Sequence, residues 1–224
     1  MYKKIKVIIT GSTGMVGEGV LHECLQSEAV EEIVVINRKT CGLFHPKLRE
    51  IILPDFFDLT ALENQFINYD ACYFCLGISS VGANKQHYYK ITYSLTLLFA
   101  KFLLKTNTKL VFCYVSGAGT DSTEKGFSNW AKVKGKTEND LQKLSFKQTY
   151  SFRPAFIKPT EGLRFSNPLY RYINWLFPIA RAVYPKGFCT LKELGQAMLN
   201  VTQQGFNKNI VDGKDIIKLA ALSR

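Results

Sequence analysis

Apolar positions along this chain come in blocks, separated by stretches in which polar and apolar residues mix. Short runs rich in β-branched residues recur at "KVIIT" (6–10), "EIVVI" (32–36), "REIIL" (49–53), "ACYFCL" (71–76), "KLVFCYV" (109–115) and "TYSFR" (149–153). Most are apolar at consecutive positions, so the strands they predict need cover on both faces. Between them, segments near 14–27, 60–67, 84–105 and 128–144 carry helical spacing. Strand and helix in alternation predict an α/β fold of the Rossmann type, a doubly wound parallel sheet with helices on both sides.

After Arg153 the texture changes. "PLYRYINWLFPIARAVYPKG" is aromatic, basic and punctuated by Pro168, Pro178 and Pro185. It predicts a small C-terminal substrate lobe, formed mainly by 154–190, within a single domain spanning 1–224. Its apolar run is too short and too charged to span a bilayer, which leaves peripheral membrane contact as a secondary reading. Thr190 then opens "TLKELGQAML" with Glu193 three residues on, a capping box that starts a helix expected to return to the main domain.

A chain of 224 residues can bury a core of about 70% of its unfolded surface without disulfide staples. The start, "MYKKIKVIITGSTG", has too short an apolar run for a signal peptide, and a cytoplasmic, reducing setting is the expectation. Among six cysteines, Cys72 and Cys75 have CxxC spacing. On a strand they point to opposite faces roughly 10 Å apart, beyond disulfide reach, and read as buried structural thiols. His22, His45 and His87 form no metal-ligand spacing.

Charge is uneven. Residues 1–100 hold 9 basic and 10 acidic side chains, whereas residues 101–224 hold 20 and 8. The excess is either a solvated lysine face or a field that favours anionic partners. Helix-turn-helix, zinc-finger and aromatic RNA-binding signatures are absent, so nucleic acid is not expected.

The strongest local signal is "IITGSTGMVGEGVL". Gly11, Gly14 and Gly17 follow a strand and open a helix. Their spacing suits a tight turn, a close approach of backbone to pyrophosphate, and close helix–strand packing. Ser12, Thr13, Met15 and Val16 complete the loop, and the helix N-terminus offers N–H groups to the phosphates. At the end of the second strand a carboxylate would bind a ribose 2′-hydroxyl; Asn37-Arg38-Lys39 stands there instead. An arginine there favours NADP(H) over NAD(H), through a charge-assisted bond to the 2′-phosphate. Asp55-Phe56 is suited to cap and flank adenine, and Leu76-Gly77 to bring backbone near the cofactor; each also suits a plain turn. Val115, ending the fifth strand, joins this set.

Together "TGSTGMVG", "INRK", "DFFDL", "FCLG", "VSGAGTD", "VKGKTEND", "FRPAFI" and "LGQAML" resemble the atypical short-chain dehydrogenase/reductase superfamily, nearest its Tat-interacting-protein-like (CC-three) branch. The resemblance runs nearly end to end. It implies a Rossmann fold, NADPH binding, and either reductase-like chemistry or regulatory contact with a protein partner. It makes Arg153-Pro154 the flank of the nicotinamide ring, and gives Lys134 the nicotinamide ribose hydroxyls.

The superfamily's catalytic set is Ser, Tyr, Lys and often Asn. Lys134 matches, but the tyrosine position holds Trp130, whose indole is no general acid near neutral pH. Ser116 lies one or two residues early, with Gly117 and Ala118 at the usual serine positions, and Thr92 stands at the Asn position. Two readings follow. One is an NADP(H)-dependent oxidoreductase on a small carbonyl or anionic substrate positioned by Lys134 and Ser116. Its proton would come from water, from Tyr88, Tyr89 or Tyr93, or from the substrate. The other is a non-catalytic NADP(H)-binding regulatory or scaffold protein.

Overall fold

The computed structural model describes residues 3–164 and 187–222. Seven strands form one parallel sheet: β1 (Ile5–Thr10), β2 (Val30–Asn37), β3 (Leu48–Ile52), β4 (Ala71–Phe74), β5 (Val111–Val115), β6 (Gln148–Arg153) and, from the end of the chain, β9 (Ile210–Asp212). Their order is β3-β2-β1-β4-β5-β6-β9. The order reverses between β1 and β4, and such a switch point opens a crevice at the carboxyl ends of the strands.

Alternation along β1 shows why these strands are apolar throughout. Val7 and Ile9 enter a core with Val20, Leu21 and Cys24 of α1 (Met15–Gln26), while Ile8 enters a second core on the other face. That second core is rich in aromatic rings, with Phe74 lying 5.7 Å from Phe99 and 5.9 Å from Phe112. All six cysteines are free, and Cys72 and Cys75 face opposite cores.

The expected helix over 84–105 is a composite of α2 (Lys85–Tyr89), a π-helical stretch (Lys90–Leu95) and α3 (Thr96–Thr106). Asn84 caps it, accepting from the N–H groups of Gln86 and His87 at 2.8 and 3.3 Å. α4 (Asn129–Gln142) packs beside it. The expected helix over 60–67 shrinks to one 3-10 turn, Thr60–Leu62, because Asn64 adopts a left-handed φ of 60°.

Of the expected lobe, two flanking strands lie among the described residues, β7 (Phe156–Lys158) and β8 (Phe188–Thr190), paired parallel. The remainder, 165–186, lies outside the described residues. The capping box is formed, with Glu193 N–H donating to Thr190 Oγ1 at 3.0 Å and Thr190 N–H to Glu193 Oε2 at 2.8 Å. It starts α5 (Leu191–Gln204), which returns to pack on α1. Sequence reading missed β7, β8 and β9 and the last helix α6 (Gly213–Ala220), each too short for a clear period. No helix among the described residues is long and apolar enough to cross a membrane.

Candidate functional site

The glycine loop leaves β1 at the switch point. Gly11 has φ +74°, and a Cβ there would stand 2.8 Å from Leu76 N. Only glycine lets the ends of β1 and β4 come this close. At Gly17 a Cβ would lie 2.2 Å from the Gly11 carbonyl oxygen, so helix and loop touch backbone to backbone. Gly14 differs. A Cβ would meet nothing nearer than Gly11 O at 3.5 Å, so the fold leaves room for one.

Gly14 is also the N-cap of α1 and supplies no side-chain acceptor to the first turn. Free N–H groups thus face an open space that a side chain would narrow, a cradle that fits a phosphate. The tight turn at Gly11 and the close helix–loop packing at Gly17 are visible in the backbone.

From this cradle a cleft of about 510 Å³ runs across the carboxyl edge of the sheet. Gly14, Met15 and Val16 begin it, Leu76 and Gly77 continue from β4, and Val115, Ser116, Lys134 and Pro154 form the far wall with Trp130. Other lining residues escaped sequence reading, among them Cys75, Ile78, Ser79, Ser80, Ala155 and Ile157. The loop after a strand in a parallel sheet opens at the carboxyl edge, so "GISS" after β4 carried a usable signal. Cys75, half-buried in the wall, has its thiol pushed up to about 12 by desolvation and is no ready nucleophile.

Several candidates occupy structural posts. Ser12 is buried and exchanges hydrogen bonds with Asn37, whose Nδ2 donates to Ser12 Oγ at 2.8 Å and to Glu50 Oε1 at 3.0 Å. β3 therefore brings a carboxylate to the tip of β2, although the stretch after β2 has none. Burial pushes Glu50 up, but hydrogen bonds from Thr40, the Cys41 N–H and Asn37 outweigh it and hold its pKa below the ordinary value. Arg38 and Lys39 are exposed beside it, and Thr13 is half-buried.

Two expectations need correction. Phe56 is buried at 3% exposure against Phe99, so its ring faces the core and offers no platform for adenine. Its neighbour Asp55 is exposed and accepts from the Phe57 N–H at 2.8 Å in a local turn. Arg153 does not line the cleft. Its Nε donates to Glu138 Oε1 at 3.0 Å, and its Nη2 also reaches Glu138, because a carboxylate this buried requires a paired cation.

At the far wall, Lys134 donates to the Ser116 carbonyl. Burial lowers its pKa to about 8, against the opposing pull of Glu138. Ser116 turns its hydroxyl to the Phe152 carbonyl at 3.1 Å, so it is engaged with β6. Of the three tyrosines expected as proton sources, Tyr93 donates to Asp140 at 2.7 Å and Tyr89 packs its ring, tilted, against Tyr93, while Tyr88 is buried in the cleft wall. Among the described residues no group of three metal-ligating side chains occurs.

The model of the NAD dependent epimerase/dehydratase family matches residues 7–135, more than half of the chain. The chain is similar to Protein FMP52, mitochondrial, of Candida albicans, at 25% identity over 96% of this chain and 98% of that protein. Other fungal relatives carry the same mitochondrial designation, and the expectation of a cytoplasmic protein is corrected by them. In fold, it is similar to the Bordetella bronchiseptica enzyme WbmF in complex with NAD+, with TM-score 0.65 and 16% identity over 98% of this chain and 77% of that one. Helicobacter pylori ADP-L-glycero-D-manno-heptose-6-epimerase gives TM-score 0.66 at 13% identity, covering 99% and 82%. The structural likenesses establish the Rossmann-type fold, and the wider short-chain dehydrogenase/reductase resemblance agrees with them.

Proposed function

This chain belongs to the NAD dependent epimerase/dehydratase family, and from that premise we propose that it is an NADP(H)-binding oxidoreductase acting on a small carbonyl substrate. The observation that carries the reading is the continuity of the cleft, from the uncapped N-terminus of α1 to Lys134. The cofactor, when bound, supplies hydride chemistry. The Gly11–Gly14 loop and the first turn of α1 hold its pyrophosphate. Lys134, desolvated in the far wall, holds ribose hydroxyls and sets a positive field over the reacting oxygen. Pro154 and Trp130 exclude water from that end.

The preference for NADP(H) rests on Arg38 and Lys39, exposed at the end of β2, with the nearby Glu50 carboxylate turned to Thr40, Cys41 and Asn37. An Arg–phosphate bond of about 1.5–3 kcal/mol corresponds to roughly 10–150-fold in affinity. Titration of both dinucleotides by fluorescence is expected to give tighter NADPH binding, and Arg38→Ala should remove most of that margin while leaving NADH binding unchanged. Equal affinities in the parent protein would overturn the NADP(H) assignment. A second reading, a non-catalytic dinucleotide-binding protein, is favoured by Ser116, whose hydroxyl is committed to Phe152.

A further inference from the structure

The far wall has a lysine and no tyrosine four residues before it, so a reduction here needs its proton from elsewhere. Trp130 fills the position and presents an indole. The Ser116 hydroxyl donates into β6. Ser79 and Ser80 are aliphatic alcohols, too weakly acidic to release a proton near neutral pH.

Tyr88 is the remaining protic ring of the cleft among the described residues. It comes from a different element, the last turn of α2, and is 2% exposed. The π-helical stretch starts two residues later, and π-bulges concentrate at functional positions. Within that stretch Thr92, four residues on from Tyr88, is also buried. The Thr92 carbonyl in turn accepts from Thr96 Oγ1 at 2.8 Å and from Thr137 Oγ1 at 3.4 Å. Thr137 sits on α4, three residues from Lys134. The phenol and the ammonium therefore come from two helices clamped together at Thr92 and Thr137.

We propose that Tyr88 is the proton donor of this site, taking over from the opposite helix the role that Trp130 leaves vacant. The assignment rests on the reductase reading above. In the step, the substrate carbonyl carbon accepts a hydride, with its two electrons, from the reduced dinucleotide. The C=O π bond breaks, and the oxygen takes the proton of Tyr88 Oη. An alcohol and the oxidised dinucleotide result, and the Tyr88 phenolate recovers a proton from water. Burial raises the Tyr88 pKa, so the phenol is protonated in the resting protein.

The test uses the full chain with NADPH and a small α-diketone, comparing the parent, Tyr88→Phe, and Tyr88→Phe combined with Trp130→Tyr. Loss of a general acid predicts a fall in kcat of about 10²–10⁴-fold in Tyr88→Phe, with NADPH affinity unchanged. Moving the phenol to position 130 should recover part of that loss. A readout independent of turnover is the ultraviolet titration of the phenol, isolated as parent minus Tyr88→Phe. Bound NADP+ places a cationic ring beside a donor, so the Tyr88 titration should move to lower pH on binding.

Unchanged turnover in Tyr88→Phe would overturn the assignment and leave the reductase reading standing. Loss of NADPH binding in that variant would assign the ring a structural role and also overturn it. A parent that binds NADPH without turnover, with a Tyr88 titration indifferent to NADP+, would overturn both.

Discussion

The two ends of the cleft obey different rules. At the glycine-loop end the residue types follow from backbone geometry. Gly11 and Gly17 are fixed by approaches of 2.8 and 2.2 Å that any side chain would violate. At the reaction end they follow from side-chain chemistry, and a change of side chain leaves the backbone where it was. Trp130 occupies a tyrosine position and touches the loop at Gly119, where an added Cβ would lie 3.2 Å from its ring. The glycine positions are thus built into the fold, while on the reading proposed here the proton source has moved between helices.

Gly17→Val tests the backbone rule most severely. The loop would have to leave the helix, and we expect loss of dinucleotide binding together with about 3 kcal/mol of stability, a fall in Tm of roughly 6–12 °C. Calorimetry and a thermal melt read both effects. A variant with parental Tm would show that the 2.2 Å approach imposes nothing.

Gly14→Val separates the two demands. Because the fold has room for a Cβ there, Tm should stay within about 2 °C of the parent. NADPH affinity should fall by at least about 100-fold, some 2.7 kcal/mol, as the side chain enters the phosphate path. Binding that survives would locate the phosphates elsewhere.

The smallest effect lies at the other end. Lys134 has a folded pKa of about 8, below its ordinary 10.5, so its charge opposes folding at neutral pH. The unfolded chain binds more protons between these values, so this contribution to stability improves as pH rises from about 8 toward 10.5. Lys134→Met should therefore raise the apo Tm at pH 7 by a few degrees while weakening NADPH binding, and that advantage should shrink above pH 8. A variant less stable than the parent at pH 7 would mean that the bond to the Ser116 carbonyl outweighs desolvation.

The same division governs what could be read from the sequence. The six expected strands and the glycine loop were legible because apolar runs and glycine spacing are local signals. Helix 84–105 was legible in extent, but its π-helical stretch was not, since insertion of one residue into the hydrogen-bond ladder leaves the apolar stripe nearly intact. Glu50 beside Asn37 was invisible because the contact is made across β2 and β3. Arg153 was assigned by resemblance to the cofactor, whereas its partner Glu138 lies on α4, and burial of that carboxylate is a property of packing. Tyr88 stood as one of three equal tyrosines until helix rotation separated it from Tyr89 and Tyr93.

The contact between α1 and α5 has a consequence for how the protein is made. Gly19 of α1 leaves space for Leu191, whose Cδ1 would lie 2.7 Å from a Cβ there, and Gly195 of α5 leaves the same 2.7 Å beside Glu23. Val20, Leu21 and Cys24 share one core with Leu194, Ala197 and Met198. The helix proposed to cradle the phosphates emerges in synthesis well before the surface that seats it. A nascent chain stalled before residue 191 would carry the whole glycine loop and a bare apolar flank at once, a target for chaperones and for aggregation. Competence to bind a dinucleotide should accordingly appear late, as α5 docks.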